Sequence, residues 1–93
     1  MKELCWDPEK SEWLKRERGV SFDQLVDARF ITTEQSRAKP HQQLMIFEFR
    51  RYAWVVPYVE GKEYYFLKTA FPSRKHTKKY LKEVQSEENQ AGL

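Results

Sequence analysis

"LMIFEFRRYAWVVPYVEGKEYYFLKTAF", residues 44–71, contains three strand-like runs in succession, each rich in β-branched and aromatic residues. The first two runs meet at Arg50-Arg51, and the second and third are joined around Glu60-Gly61. Links this short connect antiparallel neighbours, so the stretch predicts a three-stranded antiparallel meander. Pro57 has no N–H to donate, which predicts an edge position, a bulge or an N–H direction that faces no partner.

Two capped helices are predicted ahead of these strands. Asp7 is a good N-cap, Pro8 suits the first helical position, and Gly19 is placed to end the first helix in a left-handed conformation. Ser21 and Gln24 have the spacing of a capping box, which predicts a second and shorter helix.

Between the second helix and the meander, residues 32–43 show neither helical nor strand periodicity and include a proline. They are predicted to form a loop, after a short strand at Phe30 and Ile31. The link at Arg50-Arg51 lacks the Asn-Gly or Asp-Gly pair often expected in hairpins. Its loop geometry, or the strand register beside it, is therefore open at this stage.

A third helix is predicted from Ser73 onward, with Ser73 as its N-cap. One arc of this helix is basic and the opposite arc is mainly apolar, which gives it one face for a sheet and one for an anion. The whole chain, residues 1–93, is predicted to be one α+β domain with two layers, in which the helices pack on one face of a sheet of three to four strands. Residues 86–93 are expected to be a frayed tail.

Composition and charge exclude several classes of protein. Cys5 is the only cysteine, so the chain can form neither an internal disulfide nor a zinc site with paired thiols, and a reducing, cytoplasmic location is expected. The apolar run Tyr52–Val59 is far too short to span a bilayer, so no membrane partner is expected. Residues 62–82 hold seven Lys or Arg against one acid, which places the positive field in the last third of the chain.

Two stretches resemble a known family. "WDPEKSEWLKRERGVSFDQLVDA" (6–28) and "YYFLKTAFPSRKHTKKYLK" (64–82) together resemble the BrnT family, the toxin half of bacterial type II toxin–antitoxin pairs in the RelE/ParE-like superfamily. The resemblance implies a RelE-like fold and a ribonuclease activity that halts translation. It also implies a cognate, BrnA-like antitoxin that covers the toxin and binds operator DNA, which the toxin reaches only through that partner.

Carried over position by position, the resemblance assigns a framework role to the opening segment and a functional role to the closing one. The framework positions are Trp6, Asp7, Lys10, Gly19, Val20, Ser21 and Phe22. The functional positions are Lys68 on the last strand, Ser73 and Arg74 at the strand-to-helix junction, and Lys78, Lys79 and Tyr80 on the basic helix.

Cleavage of RNA through its 2′-hydroxyl needs a proton acceptor, a proton donor and cations for the developing negative charge. Arg74 is the candidate phosphate clamp, because its planar guanidinium can bind two oxygens at once. Lys68, Lys75 and His76 are the candidates for proton transfer. The residues expected to bind RNA are Lys78, Lys79, Lys82, Tyr64 and Tyr80. No motif for a metal or an organic cofactor is present, so metal-independent chemistry is expected.

Other interpretations of the same residues remain open. A run of lysines is also typical of the solvated side of an amphipathic helix. His41 lies in the polar loop and is expected to be an exposed residue rather than a catalyst. The domain is therefore either a toxin ribonuclease, a non-catalytic RelE/ParE-like domain that binds a protein or a nucleic acid, or a regulatory interaction partner.

Overall fold

A computed structural model describes residues 2–81 of the chain and contains three helices and six strands. In chain order these are β1 (Glu3–Trp6), α1 (Pro8–Arg18), α2 (Phe22–Val26), β2 (Arg29–Gln35), β3 (Gln43–Phe49), β4 (Tyr52–Glu60), β5 (Tyr64–Leu67), β6 (Phe71–Pro72) and α3 (Arg74–Tyr80). Within this part of the chain, no helix is long and apolar enough to cross a membrane. Lys82 and the tail at 86–93 lie outside the described residues.

The predicted capping of the first two helices is confirmed. The Asp7 side chain accepts the backbone N–H of Glu9 at 3.0 Å, which satisfies one of the free donors of the first turn of α1. Gly19 ends α1 at a φ of 78°, and Ser21 and Gln24 form a reciprocal capping box on α2. These ends are fixed by contacts over two to four residues, so the sequence alone could predict them.

The sheet is mixed and has more strands than predicted. Its order is β1-β5-β4-β3-β2, with β6 also paired to β4. The meander of β3, β4 and β5 is antiparallel as predicted, but β1 pairs with β5 in parallel. The expectation of a purely antiparallel sheet of three to four strands was therefore wrong at its edges, where β1 and the two-residue β6 were not predicted.

Strand β2 is longer than the predicted short strand at Phe30 and Ile31. The register with β3 shifts between Phe30 and Thr32 and then continues as far as Gln35. The connection to β3 is therefore residues 36–42 instead of the predicted loop at 32–43. The run of β-branched residues from Ile31 to Thr33 favours this strand, and pairing with β3 extends it.

Pro57 lies inside β4, and its backbone faces a gap in the sheet. Its carbonyl accepts the N–H of Lys68 at 2.8 Å, and the N and O of one residue point to the same side of an antiparallel strand. The missing N–H of Pro57 therefore points toward the gap between the end of β5 and the start of β6. The sequence left three options for Pro57: an edge position, a bulge, or an N–H direction without a partner. The structure shows the third.

The turn between β3 and β4 has a regular register and an unusual backbone. Arg50 and Arg51 have φ angles of 54° and 66°, which is the pattern of a type I′ hairpin turn built from residues other than glycine. Pairing continues up to Phe49 and Tyr52 on either side of the turn. The two arginines thus adopt the backbone conformation that an Asn-Gly pair adopts at a lower conformational energy. The strand register beside the turn is regular.

The sheet separates two apolar clusters, one on each face. On one face α1 and α2 cover the first cluster, whose buried members are Leu14, Val20, Phe22, Leu25, Met45, Phe47, Trp54, Val56, Tyr58, Leu67 and Ala70. On the other face α3 covers the second, formed by Ile46, Ala53, Val55 and Leu81. The prediction that all helices pack on one face was wrong, because the alternating side chains of β3 and β4 are apolar on both sides.

Replacement of Gly19 tests the predicted end of α1. A Cβ atom at Gly19 would meet no atom within 4 Å, so the cost of a side chain comes from the backbone conformation alone. Gly19→Val is expected to lower the free energy of unfolding by about 1 kcal/mol or more, because β-branched residues tolerate positive φ poorly. Gly19→Asn, which tolerates this conformation better, is the matched control in denaturant unfolding. Equal stability of the parent and Gly19→Val would contradict the assigned geometry.

Candidate functional site

Helix α3 is held against β4 by hydrogen bonds to a single residue of that strand. The N–H of Ser73 donates to the Ala53 carbonyl at 2.9 Å. The Ala53 N–H donates to the Thr77 hydroxyl at 2.9 Å, and that hydroxyl donates to the Ser73 carbonyl at 2.7 Å. Thr77 is only 3% exposed, so these bonds are shielded from water and fix the first turn of α3 over the sheet.

Five side chains then meet on this face of the sheet, and we call them the Glu34 cluster: Glu34, Ser73, His76, Lys79 and Tyr80. His76 lies 2.6 Å through Nδ1 from the Ser73 hydroxyl and 3.1 Å through Nε2 from Glu34 Oε1. The other carboxylate oxygen accepts Lys79 Nζ at 3.1 Å and also the Tyr80 hydroxyl. One carboxylate of β2 therefore binds three side chains of α3.

Electrostatics favour the ionised form of this carboxylate. Burial alone would raise the pKa of Glu34, yet the hydrogen bonds from α3 outweigh that effect and lower the pKa to about 2. The same bonds raise the pKa values of Lys79 and Tyr80 above their ordinary values. Glu34 is thus an anion above about pH 4.5, and Lys79 and Tyr80 hold their protons more tightly because they donate to it.

The partners of His76 are consistent with one tautomer. The Ser73 oxygen accepts the backbone N–H of His76 at 3.1 Å, which leaves its hydroxyl proton free to point at Nδ1. The Nε2 atom then carries the ring proton and donates it to Glu34. Ser73 is the N-cap that the sequence predicts, and the structure adds its contact with the imidazole.

The outer side of α3 is cationic. Arg74, Lys75 and Lys78 are exposed and, with the partly engaged Lys79, they line one shallow surface. Lys75, His76 and Lys79 also line a groove of about 370 Å³ that runs between α3 and the segment from Glu34 to Gln42. The predicted residues Arg74, Lys75, His76, Lys78, Lys79 and Tyr80 are thus brought together on one helix.

Two predicted residues have no described side-chain contact with this group. Lys68 follows β5, and its N–H donates at 2.8 Å to the carbonyl of Pro57, which lines the groove. Its ammonium lies 5.6 Å from the Phe66 ring centroid, and no described ion pair or hydrogen bond joins its side chain to α3. Tyr64 is 45% exposed and stands opposite Glu3 of β1 in the register. Its strand and β2 are three strand spacings apart, about 14 Å, so Tyr64 is far from the Glu34 cluster. Lys82 is not among the described residues.

Sequence reasoning missed Glu34. The residue falls in the segment predicted to be a loop, whereas it stands on β2 opposite Leu44, on the sheet face that α3 covers. One signal could have located it. Glu34 follows a run of β-branched residues, and its spacing of two from Thr32 places both side chains on one face of a strand. Its contact with His76 spans 42 positions and has no local signature.

No protein-family model, curated protein or solved structure matches the chain. In residues 2–81, no three His, Cys, Asp or Glu side chains lie together in the manner of a metal site. The chemistry of the Glu34 cluster and its cationic surroundings is therefore the basis for the functional interpretation.

Removal of the Thr77 hydroxyl tests the attachment of α3. Thr77→Val keeps the shape of the side chain but leaves the buried N–H of Ala53 without an acceptor, which is expected to lower the free energy of unfolding by about 1–3 kcal/mol. Thr33→Val, at an exposed position of β2, is the control and is expected to change stability little. Equal unfolding curves for both variants would show that Thr77 does not hold the helix.

The lowered pKa of Glu34 predicts a pH-dependent contribution to stability. Because the folded-state pKa of about 2 lies below the ordinary 4.5, the contribution is complete above about pH 4.5 and is lost as the pH falls through 2. Glu34→Gln is expected to be less stable than the parent by about 1–2 kcal/mol at pH 7, after allowance for solvent screening, and the difference should shrink steadily as the pH is lowered from 4.5 through 2. Glu12→Gln, at an exposed position of α1, is the control. A difference that is independent of pH would contradict the assigned ion pairing.

Proposed function

We propose that this protein is the toxin half of a type II toxin–antitoxin pair, similar to BrnT, and that it cleaves RNA through the 2′-hydroxyl. The observation that carries the proposal is the position of His76, held between Ser73 and Glu34 beside a cationic helix surface. An imidazole that is oriented by a carboxylate is a common proton acceptor in enzymes. Cations next to it meet a further requirement of phosphodiester cleavage, stabilisation of the developing negative charge.

The proton of the 2′-hydroxyl passes to His76 in this mechanism. The 2′-oxygen hydrogen-bonds to Ser73, and the serine hydroxyl passes its own proton to Nδ1 as it receives the proton of the nucleophile. The Glu34 carboxylate stabilises the imidazolium that forms, because it already accepts from Nε2. The 2′-oxygen then forms a bond to the adjacent phosphorus and the bond from phosphorus to the 5′-oxygen breaks.

The negative charge that develops on the non-bridging phosphate oxygens is stabilised by the cations of α3. Arg74 offers two parallel N–H donors to two phosphate oxygens, and Lys78 adds a second cation close by. Lys75 lines the same surface and the groove beside His76, so it donates the proton to the leaving 5′-oxygen. This proposal assigns proton transfer to His76 and Lys75, because the Lys68 side chain has no described hydrogen bond or ion pair with α3.

The partners in this proposal follow from the charge of α3 and from the resemblance to BrnT. A RelE-like toxin of this kind acts in the cytoplasm on RNA and is neutralised by a BrnA-like antitoxin. Acidic and aromatic residues of that antitoxin would cover Arg74, Lys75 and Lys78, since complementary charge favours rapid association. Operator DNA is bound through the antitoxin.

A second candidate function has its own support. Both ring nitrogens of His76 already have partners, and Lys79 and Tyr80 are bonded to the same carboxylate. The Glu34 cluster is therefore also suited to a purely structural role, which would hold α3 while its outer cations bind a nucleic acid or a protein without cleavage. This non-catalytic RelE/ParE-like domain is the alternative that the next experiment distinguishes.

Single-turnover cleavage and filter binding of an end-labelled RNA, both with EDTA present, separate the two functions. For a ribonuclease, His76→Gln is expected to lower the cleavage rate by about 100-fold or more with little change in RNA affinity. Arg74→Ala is expected to lower the rate by a similar factor and affinity by much less, because the phosphate gains charge only in the transition state. His41→Gln, in the exposed loop, is the control and should behave as the parent does.

Thermal unfolding of each variant shows whether a lost rate reflects a lost fold. A parent protein that binds RNA but does not cleave it, together with small and equal losses of affinity in Arg74→Ala and Lys78→Ala, would contradict the ribonuclease proposal and support the non-catalytic one. Cleavage that survives in folded His76→Gln would remove His76 from the mechanism.

A further inference from the structure

The groove beside the Glu34 cluster has the size and boundaries of a small-molecule site. One wall is α3, the other is the segment 34–42, and the volume is about 370 Å³. Binding sites for small ligands begin at about 300 Å³. The loop wall is braced within itself, since the Gln35 amide donates to the Pro40 carbonyl at 2.6 Å and the Ser36 N–H donates to the Gln42 carbonyl at 3.1 Å. The groove is therefore formed without a ligand.

Apolar side chains line part of the groove. Leu44 and Pro57 stand opposite each other in the register of β3 and β4, and both line it. Phe71 of β6 lies opposite Val55, so its ring is on the same sheet face. Phe71 remains 37% exposed although it belongs to a strand, which leaves an aromatic surface open in the groove. A flat aromatic ring of a ligand is the natural partner of such a surface.

The groove is also rich in cations. Arg37 and Lys39 on the loop wall and Lys75 and Lys79 on the helix wall line it, against a single acid, Glu34. That carboxylate already accepts from three side chains of α3, so it offers little charge to a ligand. An occupant that complements the groove combines a flat aromatic group with an anion.

We infer that this groove binds one unpaired nucleotide of RNA, with its base against Phe71 and its phosphate between Lys75 and Arg37. The amide of Gln42, which lines the groove, can both donate to and accept from the edge of the base. Because His76 lines the same groove, the bound nucleotide determines which phosphodiester lies beside the imidazole. This inference rests on the proposed function and adds a nucleotide selectivity that the mechanism above does not contain.

The occupant is better matched by a nucleotide than by an acidic peptide. Carboxylates of a peptide would satisfy the cations but would leave the open face of Phe71 in contact with water. A base that stacks on an aromatic side chain covers that face, and the binding free energy of one such stack is large enough to be measured with a single nucleotide. The two occupants differ in whether binding depends on Phe71.

Direct binding of small probes tests the site on the full chain. The four nucleoside 5′-monophosphates, ribose 5-phosphate and a short Asp/Glu peptide are titrated into the labelled protein and followed by amide chemical shifts. The nucleotides are expected to bind at least about tenfold more tightly than ribose 5-phosphate, which has the phosphate but no base. Equal affinity for ribose 5-phosphate, no nucleotide binding, or tighter binding of the peptide would overturn the inference.

Substitutions of Phe71 show whether the base lies where we place it. Phe71→Ala is expected to weaken nucleotide binding about tenfold and to leave ribose 5-phosphate binding unchanged. Phe30→Ala is the matched control, since Phe30 is 52% exposed but contacts Phe47 on the face that α1 and α2 cover. Phe71→Leu keeps an apolar side chain and serves if the alanine variant does not fold. Nucleotide affinity that survives in a folded Phe71 variant would contradict the placement.

The cleavage reaction then separates this inference from the proposed function. If the protein cleaves RNA, Phe71→Ala and Gln42→Ala are expected to change the distribution of cleavage sites along a mixed-sequence RNA, while His41→Gln leaves it unchanged. Cleavage with an unaltered distribution in both groove variants would overturn the groove site and leave the ribonuclease proposal standing. Binding of nucleotides that depends on Phe71, in a protein that cleaves no RNA, would support the site and contradict the ribonuclease proposal.

Discussion

The hydroxyl of Thr77 links α3 to the central strand, and the position of the candidate site depends on that link. Strand β5 stops at Leu67 and β6 has two residues, so β4 has no long partner on that side near Ala53. The N–H and carbonyl of Ala53 are instead satisfied by Thr77 and Ser73. A helix joined to the sheet at this point reaches Glu34 on β2 within one turn, which brings carboxylate, imidazole and lysine together.

The Glu34 cluster divides the charges of α3 into two groups with different tasks. Lys79 and Tyr80 are bound to the carboxylate and stabilise it, so their contribution is mainly to the attachment of the helix. Arg74, Lys75 and Lys78 have no place in this cluster and remain exposed. A single anion on β2 therefore orients the helix without cancelling the positive field of its outer side, which a larger acidic group would do.

Features encoded by neighbouring residues could be predicted, and those that depend on distant partners could not. The caps at Asp7, Gly19 and Ser21 depend on contacts within a few positions, as does the basic arc of α3. The position of Glu34 requires β2 to extend along β3, and β1 exists only because β5 lies beside it. One overlooked signal for helices on both faces is the nearly continuous apolar run of β4, which is typical of a strand that is buried on both sides.

The parallel pairing of β1 with β5 also constrains the order in which the chain can assemble. Glu3 stands beside Tyr64 and Trp6 beside Leu67, so about 60 residues separate the two strands along the chain. During synthesis on a ribosome, α1 and α2 can form early from local contacts, whereas β1 has no partner until β5 has left the exit tunnel. Helix α3 also forms late, because it follows β5 and β6 in the chain. Among residues 2–81, the sheet edge at β1 and the cationic helix are thus completed after the other elements, at nearly the same moment of translation.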